Sequence, residues 1–229
     1  MNQDQNPTLF DFDAAARVYD SWYETREGGF YDTLEKRALR RLVGPADVGD
    51  RLLEVGAGTG WWSRFFSDMG FAVTGIDISP PMIETARSKQ IPRAVFRRAD
   101  AHELPFEDGE FSCAAAITSL EFVRRPLEVI QEMIRCTKRS GILILGVLNR
   151  EAPINRRRSE SAEGPFGAAR FFSAREIREL LAPFGRLRLK MCAFPPSFRV
   201  PPVFAGPVDD VTAIFDKRHG AFIVVKVEL

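Results

Sequence analysis

Between Arg51 and Leu148, short apolar runs alternate with stretches of helix length, and few folds tolerate that alternation. "RLLEV", Arg51 to Val55, precedes the helix-like "WWSRFFSDM", which Gly70 closes. "AVTGID" is a second apolar run. Ser79 can cap the helix after it, with Pro80 at the first position, where a missing N–H costs nothing. "AVFRRAD" and "FSCAAAIT" read as third and fourth strands. Leu127, Ile130 and Ile134 form the stripe of a further helix that ends at "KRSG". "ILILGVL", Ile142 to Leu148, suits a central strand buried on both faces. Strands separated by helices of this length build βαβ units and a parallel sheet, so the fold class is α/β.

The flanks follow other rhythms. Residues 1 to 10 read as loose, and about Asp13 to Val43 reads as helix in two pieces broken near Gly28-Gly29. In the second piece Tyr31, Leu34, Ala38 and Leu42 share one face. After Asn149, "REAPINRRRSESAEGPFGAAR" reads as a long loop or lid. "SARE", Ser173 to Glu176, is a capping box that starts a helix running to about Leu181. "RLRLKMCAF" alternates as a strand, and "AFIVVKVEL" ends the chain as another. The prolines at 195, 196, 201, 202 and 207 exclude a central strand and predict a stiff loop. A chain of 229 residues fits one domain, 1–229. Its net charge of +1 gives no global field for nucleic acid or an anionic surface. Three scattered cysteines without CxxC spacing exclude a thiolate zinc site and fit a reducing, cytoplasmic compartment. No apolar run approaches the roughly 20 residues of a membrane span.

The first strand ends in "EVGAGTGWW", with glycines at 56, 58 and 60. A dinucleotide fingerprint needs GxGxxG, and its third glycine is replaced here by Trp61. A phosphate loop needs GK[ST], which is absent. Gly56 and Gly58 let backbone pass close beneath a flat ligand, although such glycines also serve plain strand-to-helix turns. Two further carboxylates follow in order. Asp77 ends the second strand, placed to accept from a ribose diol, and Asp100 ends the third, where it can take an adenine amino group. Three acidic residues at consecutive strand ends suit a ligand carrying positive charge rather than a pyrophosphate.

"LLEVGAGTGWWSRFF", "VTGIDISPPMIETAR", "RADAHELPFEDGEFSCAAAITSLEFV" and "EVIQEMIRCTKRSGILILGVLN", taken in order, resemble the class I S-adenosylmethionine-dependent methyltransferases. Within these they resemble the ubiquinone/menaquinone-biosynthesis-like branch that acts on small molecules. The resemblance covers roughly residues 13 to 193. It implies a Rossmann-like doubly wound sheet of seven strands, mostly parallel with the last antiparallel, and helices on both faces. It divides the chain into an N-terminal helical lid (1–43), a cofactor-binding core (44–193) and a proline-rich loop with the last strand (194–229). It implies S-adenosylmethionine as cofactor. Glu54 would then steer the methionine amino group through water or backbone, and Gly56, Ala57 and Gly58 would line the floor. Asp77 would take the ribose hydroxyls, with Ile78 and Met82 against the adenine and Asp100 and Ala101 at its edge. Ser119, Leu120 and Phe122 would flank the methionine and sulfonium, and Tyr19 of the lid would cover them or else pack its helix's aromatic stripe onto the sheet. The chain departs from the family at "RSG", which lacks a Pro-Gly-Gly turn, and at "SLEF", where Glu121 stands and no histidine follows.

Transfer of a methyl group from a sulfonium is an in-line displacement, so the protein mainly aligns and dehydrates two partners. A general base is required only where the acceptor must lose a proton. His102 and His219 are the titratable candidates near neutrality; His102 lies on the cofactor side and His219 reads as a turn residue. No residue is assigned as catalytic and no metal-ligand set is present. One of Trp61 and Trp62 is expected in the core and the other on the pocket wall. Arg156 to Arg158 read as a solvated basic run. The expected acceptor is a small molecule. RNA or protein methylation is the alternative, disfavoured by the low net charge and by "SLEF" in place of the Pro-Pro-aromatic tetrapeptide of nucleobase methylases. A cofactor-binding sensor or partner subunit without activity is a third reading.

Overall fold

The computed structural model describes residues 7–161 and 164–229. Seven strands form one sheet: β1 (Arg51–Val55), β2 (Ala72–Asp77), β3 (Ala94–Arg98), β4 (Phe111–Ile117), β5 (Thr137–Leu148), β6 (Arg186–Cys192) and β7 (Phe222–Glu228). Their spatial order is β3-β2-β1-β4-β5-β7-β6. Neighbours from β3 to β5 pair in parallel, and β7 runs against both β5 and β6. The expected doubly wound, mostly parallel sheet with an antiparallel last strand is the observed one.

Period-two alternation divides the core between the two faces. Leu53, Ala114, Ala116, Leu143, Leu145 and Val225 join one cluster. It is covered by α5 (Pro126–Cys136) and α8 (Ala174–Leu181). Leu52, Cys113, Ala115, Ile144 and Val224 join the other, beneath α2 (Arg26–Val43) and α3 (Trp61–Asp68). Against β2 and β3, α4 (Pro80–Ser88) packs through Ile83 and Ala86 onto Phe96. As read from the sequence, Ser79 accepts from Met82 N at the start of α4, and Ser173 and Glu176 complete the capping box of α8.

Six local readings need correction. The N-terminal helices break at Thr25, between α1 (Ser21–Glu24) and α2, not at the glycines. Thr25 caps α2 by accepting from Gly28 N, and Gly28 is buried so tightly that a Cβ would fall 1.9 Å from the Trp22 carbonyl oxygen. Residues 7–10, expected to be loose, are held: Leu9 N donates to Phe122 O at 2.7 Å and Thr8 bridges to Val123. The buried stripe of α5 is Val129, Ile130, Met133 and Cys136, which leaves Leu127 44% exposed. That helix ends at Cys136, and "KRSG" already belongs to β5, because Thr137 pairs with Phe111 of β4. The polar stretch after Asn149 contains two helices, α6 (Pro153–Ser159) and α7 (Pro165–Ala168), each with proline at its first position; residues 162 and 163 lie outside the described residues. The proline-rich stretch becomes a 3₁₀ turn (Pro195–Arg199) and α9 (Pro202–Phe215), again with proline first.

Candidate functional site

A cavity of about 380 Å³ opens at the carboxyl ends of β1, β2, β3 and β4. In open α/β sheets this edge, where the strand order reverses, is where ligands collect. Its floor is the turn after β1. Gly56 adopts φ +73°, and a Cβ there would lie 2.4 Å from Cβ of Ser119. Only glycine lets the first and fourth strands close to that distance. The Ser119 hydroxyl in turn donates to Val55 O at 2.9 Å. Gly60, at φ +79°, turns the chain into α3 against Ile91 and Phe96.

Asp77 ties this floor to the next helix. Its carboxylate accepts from Gly58 N and from Ser79 N, each at 2.9 Å. Burial raises the Asp77 carboxyl above the ordinary aspartate value, against the pull of the backbone donors at Ser79, Gly58 and Ile78. At the end of β3, Asp100 accepts from His102 N at 2.9 Å and from the His102 ring at Nδ1, 2.7 Å away. The walls between these carboxylates are apolar: Ile78, Met82, Ala101, Leu120 and Phe122.

The remaining wall comes from the N-terminal segment. Pro7, Thr8, Phe10, Phe12 and Asp13 line the cavity, as does Tyr19. Phe12 meets Phe122 edge-on at 4.9 Å, and Asp13 accepts from the Ser79 hydroxyl at 2.6 Å. The Tyr19 side chain hydrogen-bonds those of Tyr23 and Thr118, and burial raises its pKa. Asp20 accepts from Thr59 of the glycine turn at 2.6 Å and pairs with Lys89 at the end of α4.

Eleven of the thirteen residues named from the sequence lie on the cavity wall: Tyr19, Gly56, Gly58, Asp77, Ile78, Met82, Asp100, Ala101, Ser119, Leu120 and Phe122. Glu54 and Ala57 lie outside it. Glu54 is buried, its carboxylate accepts from the Ser63 hydroxyl at 2.5 Å, and burial pushes its pKa up to about 8. Ala57 packs beside Gly75 of β2. Neither tryptophan walls the cavity. Trp62 is core, whereas Trp61 stacks on Tyr23 with centroids 4.4 Å apart and donates to Asp32 at 2.7 Å. His219 is the expected turn residue, bonded to Asp216 at 3.0 Å. Sequence reasoning missed residues 7 to 13; alternating aromatics in "TLFDFD" were the available signal.

Comparison with known proteins bears on this site. A methyltransferase domain model matches residues 53–145. An uncharacterized protein of Methanocaldococcus jannaschii is 32% identical over 181 residues, 78% of this chain and 82% of its own. The chain belongs to the class I S-adenosylmethionine-dependent methyltransferases. Relatives of this methyltransferase include the 27-O-demethylrifamycin SV methyltransferase of Amycolatopsis mediterranei, 36% identical over 59% of this chain and 56% of its own. The demethylmenaquinone methyltransferase of Renibacterium salmoninarum is 34% identical over 58% of this chain and 55% of its own. The chain therefore spans little more than half the length of these two. Among solved structures, a methyltransferase of Thermotoga maritima superposes with a TM-score of 0.70 at 23% identity, over 95% of this chain and 98% of that one. That likeness concerns the fold.

S-adenosylmethionine is the methyltransferase's cofactor, and the residues present fit it. The nearest atom to a Cβ built on Gly58 would be Met82 Sδ at 3.9 Å, so the floor is open to a flat group. Two carboxylates stand along one apolar wall, as a nucleoside bearing a cationic arm requires. Among the described residues no cluster of histidine, cysteine, aspartate or glutamate could hold a metal ion. No described helix is long and apolar enough to cross a membrane.

Proposed function

We propose that the methyltransferase transfers a methyl group to a small molecule. The observation that carries this reading is the roof over the cavity: Pro7 to Asp13 and Tyr19 cover the sheet edge, so an acceptor must fit beneath or beside them. An RNA or folded protein would need an open groove and basic rim.

S-adenosylmethionine, when bound, supplies an electrophilic methyl group on a sulfonium. The chain's own residues do the rest. Asp77 would hold the ribose hydroxyls while its anchors at Gly58 and Ser79 fix the carboxylate. Asp100, Ala101, Ile78 and Met82 would hold the adenine, and the backbone of Gly56 and Gly58 would pass beneath the methionine arm. Ser119, Leu120 and Phe122 would border the reacting end, and Tyr19 with Phe12 would exclude water from it. Glu54 acts at one remove, fixing the first turn of α3 through Ser63. Fixed geometry and dehydration are the two contributions an in-line displacement needs from a protein.

The experiment is incubation with a labelled methyl donor and a metabolite extract, alongside RNA and protein fractions. Label in a low-molecular-weight product is expected; label confined to RNA or protein would overturn the reading.

A further inference from the structure

The β6–β7 connection carries a surface outside the cavity. β6 is parallel to β1, so the chain leaves Cys192 at the same sheet edge as the glycine turn. Asp209 then anchors α9 by accepting from Ala193 N at 3.1 Å and Phe194 N at 2.8 Å. Ala205 and Gly206 are the buried side, and Gly206 lies so close to α2 that a Cβ would meet the Arg37 guanidinium at 2.8 Å. The helix therefore presents a fixed outer face.

That outer face is wholly apolar. Val203, Phe204, Val211, Ile214 and Phe215 are 76%, 58%, 56%, 62% and 83% exposed, and Pro207 is exposed between them. At about 100° per residue these six positions fill an arc of roughly 120°, with no charged residue inside it. Large exposed side chains in one contiguous stripe mark an interaction surface.

The Asp210 edge of the stripe is cationic, while Asp216 at the end of α9 and Glu24 and Glu27 near Val203 are carboxylates on the rest of its rim. Asp210, at one edge of the arc, is outnumbered: Arg37 and Lys190 bond it at 2.6 and 2.9 Å, and Arg41 pairs with it as well. Arg199 before the helix has no carboxylate partner among the described residues, and Lys217 after it reaches only Ala213 O at 2.6 Å. A second copy of this chain would bring the same excess of cations to the contact. An anionic lipid surface supplies what both parts lack, hydrocarbon for the stripe and phosphate for its cationic edge.

We propose that α9 docks the methyltransferase on an anionic lipid bilayer, lying in the interface with Phe204 and Phe215 inserted and the flanking cations among the headgroups. This goes beyond methyl transfer and does not rest on the acceptor's identity.

The test is flotation of the full chain with vesicles of 70% phosphatidylcholine and 30% phosphatidylglycerol, and with vesicles of phosphatidylcholine alone. Binding is expected to the anionic vesicles, weakened by added salt, and reduced at least about tenfold in the double variant Phe204→Ser, Phe215→Ser. Unchanged cofactor affinity and melting temperature in that variant keep a folding defect from mimicking the loss. Equal binding by the variant would overturn the proposal, as would absence of binding to anionic vesicles. A dimer in sedimentation equilibrium that the variant abolishes, without vesicle binding, would assign the stripe to a second copy instead.

Discussion

Asp77 serves two ends with one carboxylate, since the oxygens that face the cavity also accept from Gly58 N and Ser79 N. Asp77→Ala removes both anchors together with the acceptors proposed for a ribose. Calorimetry with S-adenosylmethionine should show affinity at least about tenfold weaker, the scale of a charged hydrogen bond lost at a fixed site. Unchanged affinity would remove the ribose assignment. Glu35 on α2 poses a different problem. It is 5% exposed, and burial pushes its pKa from 4.5 to about 8; Asp32 adds to the shift, while Arg158 and Lys36 oppose it. Between those two values the native chain keeps a proton that the unfolded chain has released. Stability contributed this way is complete below the unfolded value and is lost as pH rises through the folded one. Melting temperature should therefore fall between pH 5 and 8, and fall less in Glu35→Gln. The variant should gain on the order of 2 kcal/mol, roughly 5 °C, at pH 8. Its melting temperature should still fall somewhat over that range, because burial also raises Glu54 to about 8 and Glu121 to about 7. Parallel melting curves for the two proteins across that range would sink the account.

Trp61 occupies the place where a dinucleotide fold has glycine, and its partners explain why. It stacks on Tyr23 of α1, donates to Asp32 of α2, and lies 4.7 Å from Lys36 Nζ. One side chain at the start of α3 thus docks both N-terminal helices. Trp61→Ala should raise hydrogen-exchange rates in residues 21–43 by roughly tenfold and leave the amides of β4 and β5 protected. Uniform acceleration throughout the sheet would instead make Trp61 part of the global core. The same elements show what could be read from the sequence. Strands β1 to β4 and helices α3 and α4 were legible because period, cap and glycine agreed, as at Ser79-Pro80. "KRSG" misled because basic residues and glycine suit a helix end equally well, and only the pairing of Thr137 with Phe111 decides for β5. Pro153, Pro165 and Pro202 read as loop signals, yet proline at a first helical position is neutral, and local sequence does not separate the two uses. The cavity floor was legible in its glycines and aspartates. Its wall from residues 7–13 was not, since docking of Leu9 on Phe122 spans more than a hundred residues.

At the scale of the molecule, the sheet order sets Asp77, Asp100 and Ser119 along one edge, and the segment 7–13 lies across that edge as a separate layer. The layer is attached locally: Leu9 to Phe122, Pro7 O to Arg124 N at 3.1 Å, and Phe12 against Phe122. Neither sheet-face cluster draws a residue from 7–12. Stability and cofactor retention should therefore separate when the segment is removed. A chain beginning at Asp13 keeps both faces of the core, so its melting temperature should shift by no more than about 3 °C, equivalent to roughly 1 kcal/mol. The cofactor, however, loses the wall formed by Pro7, Thr8, Phe10 and Phe12. Its dissociation should quicken by about tenfold or more, because most changes in affinity at a preformed site appear in the off-rate. Stopped-flow displacement of S-adenosylhomocysteine measures that rate directly. An unchanged off-rate would mean that the segment only borders the cavity. A fall of the melting temperature well beyond that range would mean that it belongs to the core. The expected pair, near-constant melting with faster release, identifies it as a cover that holds the ligand without holding the fold.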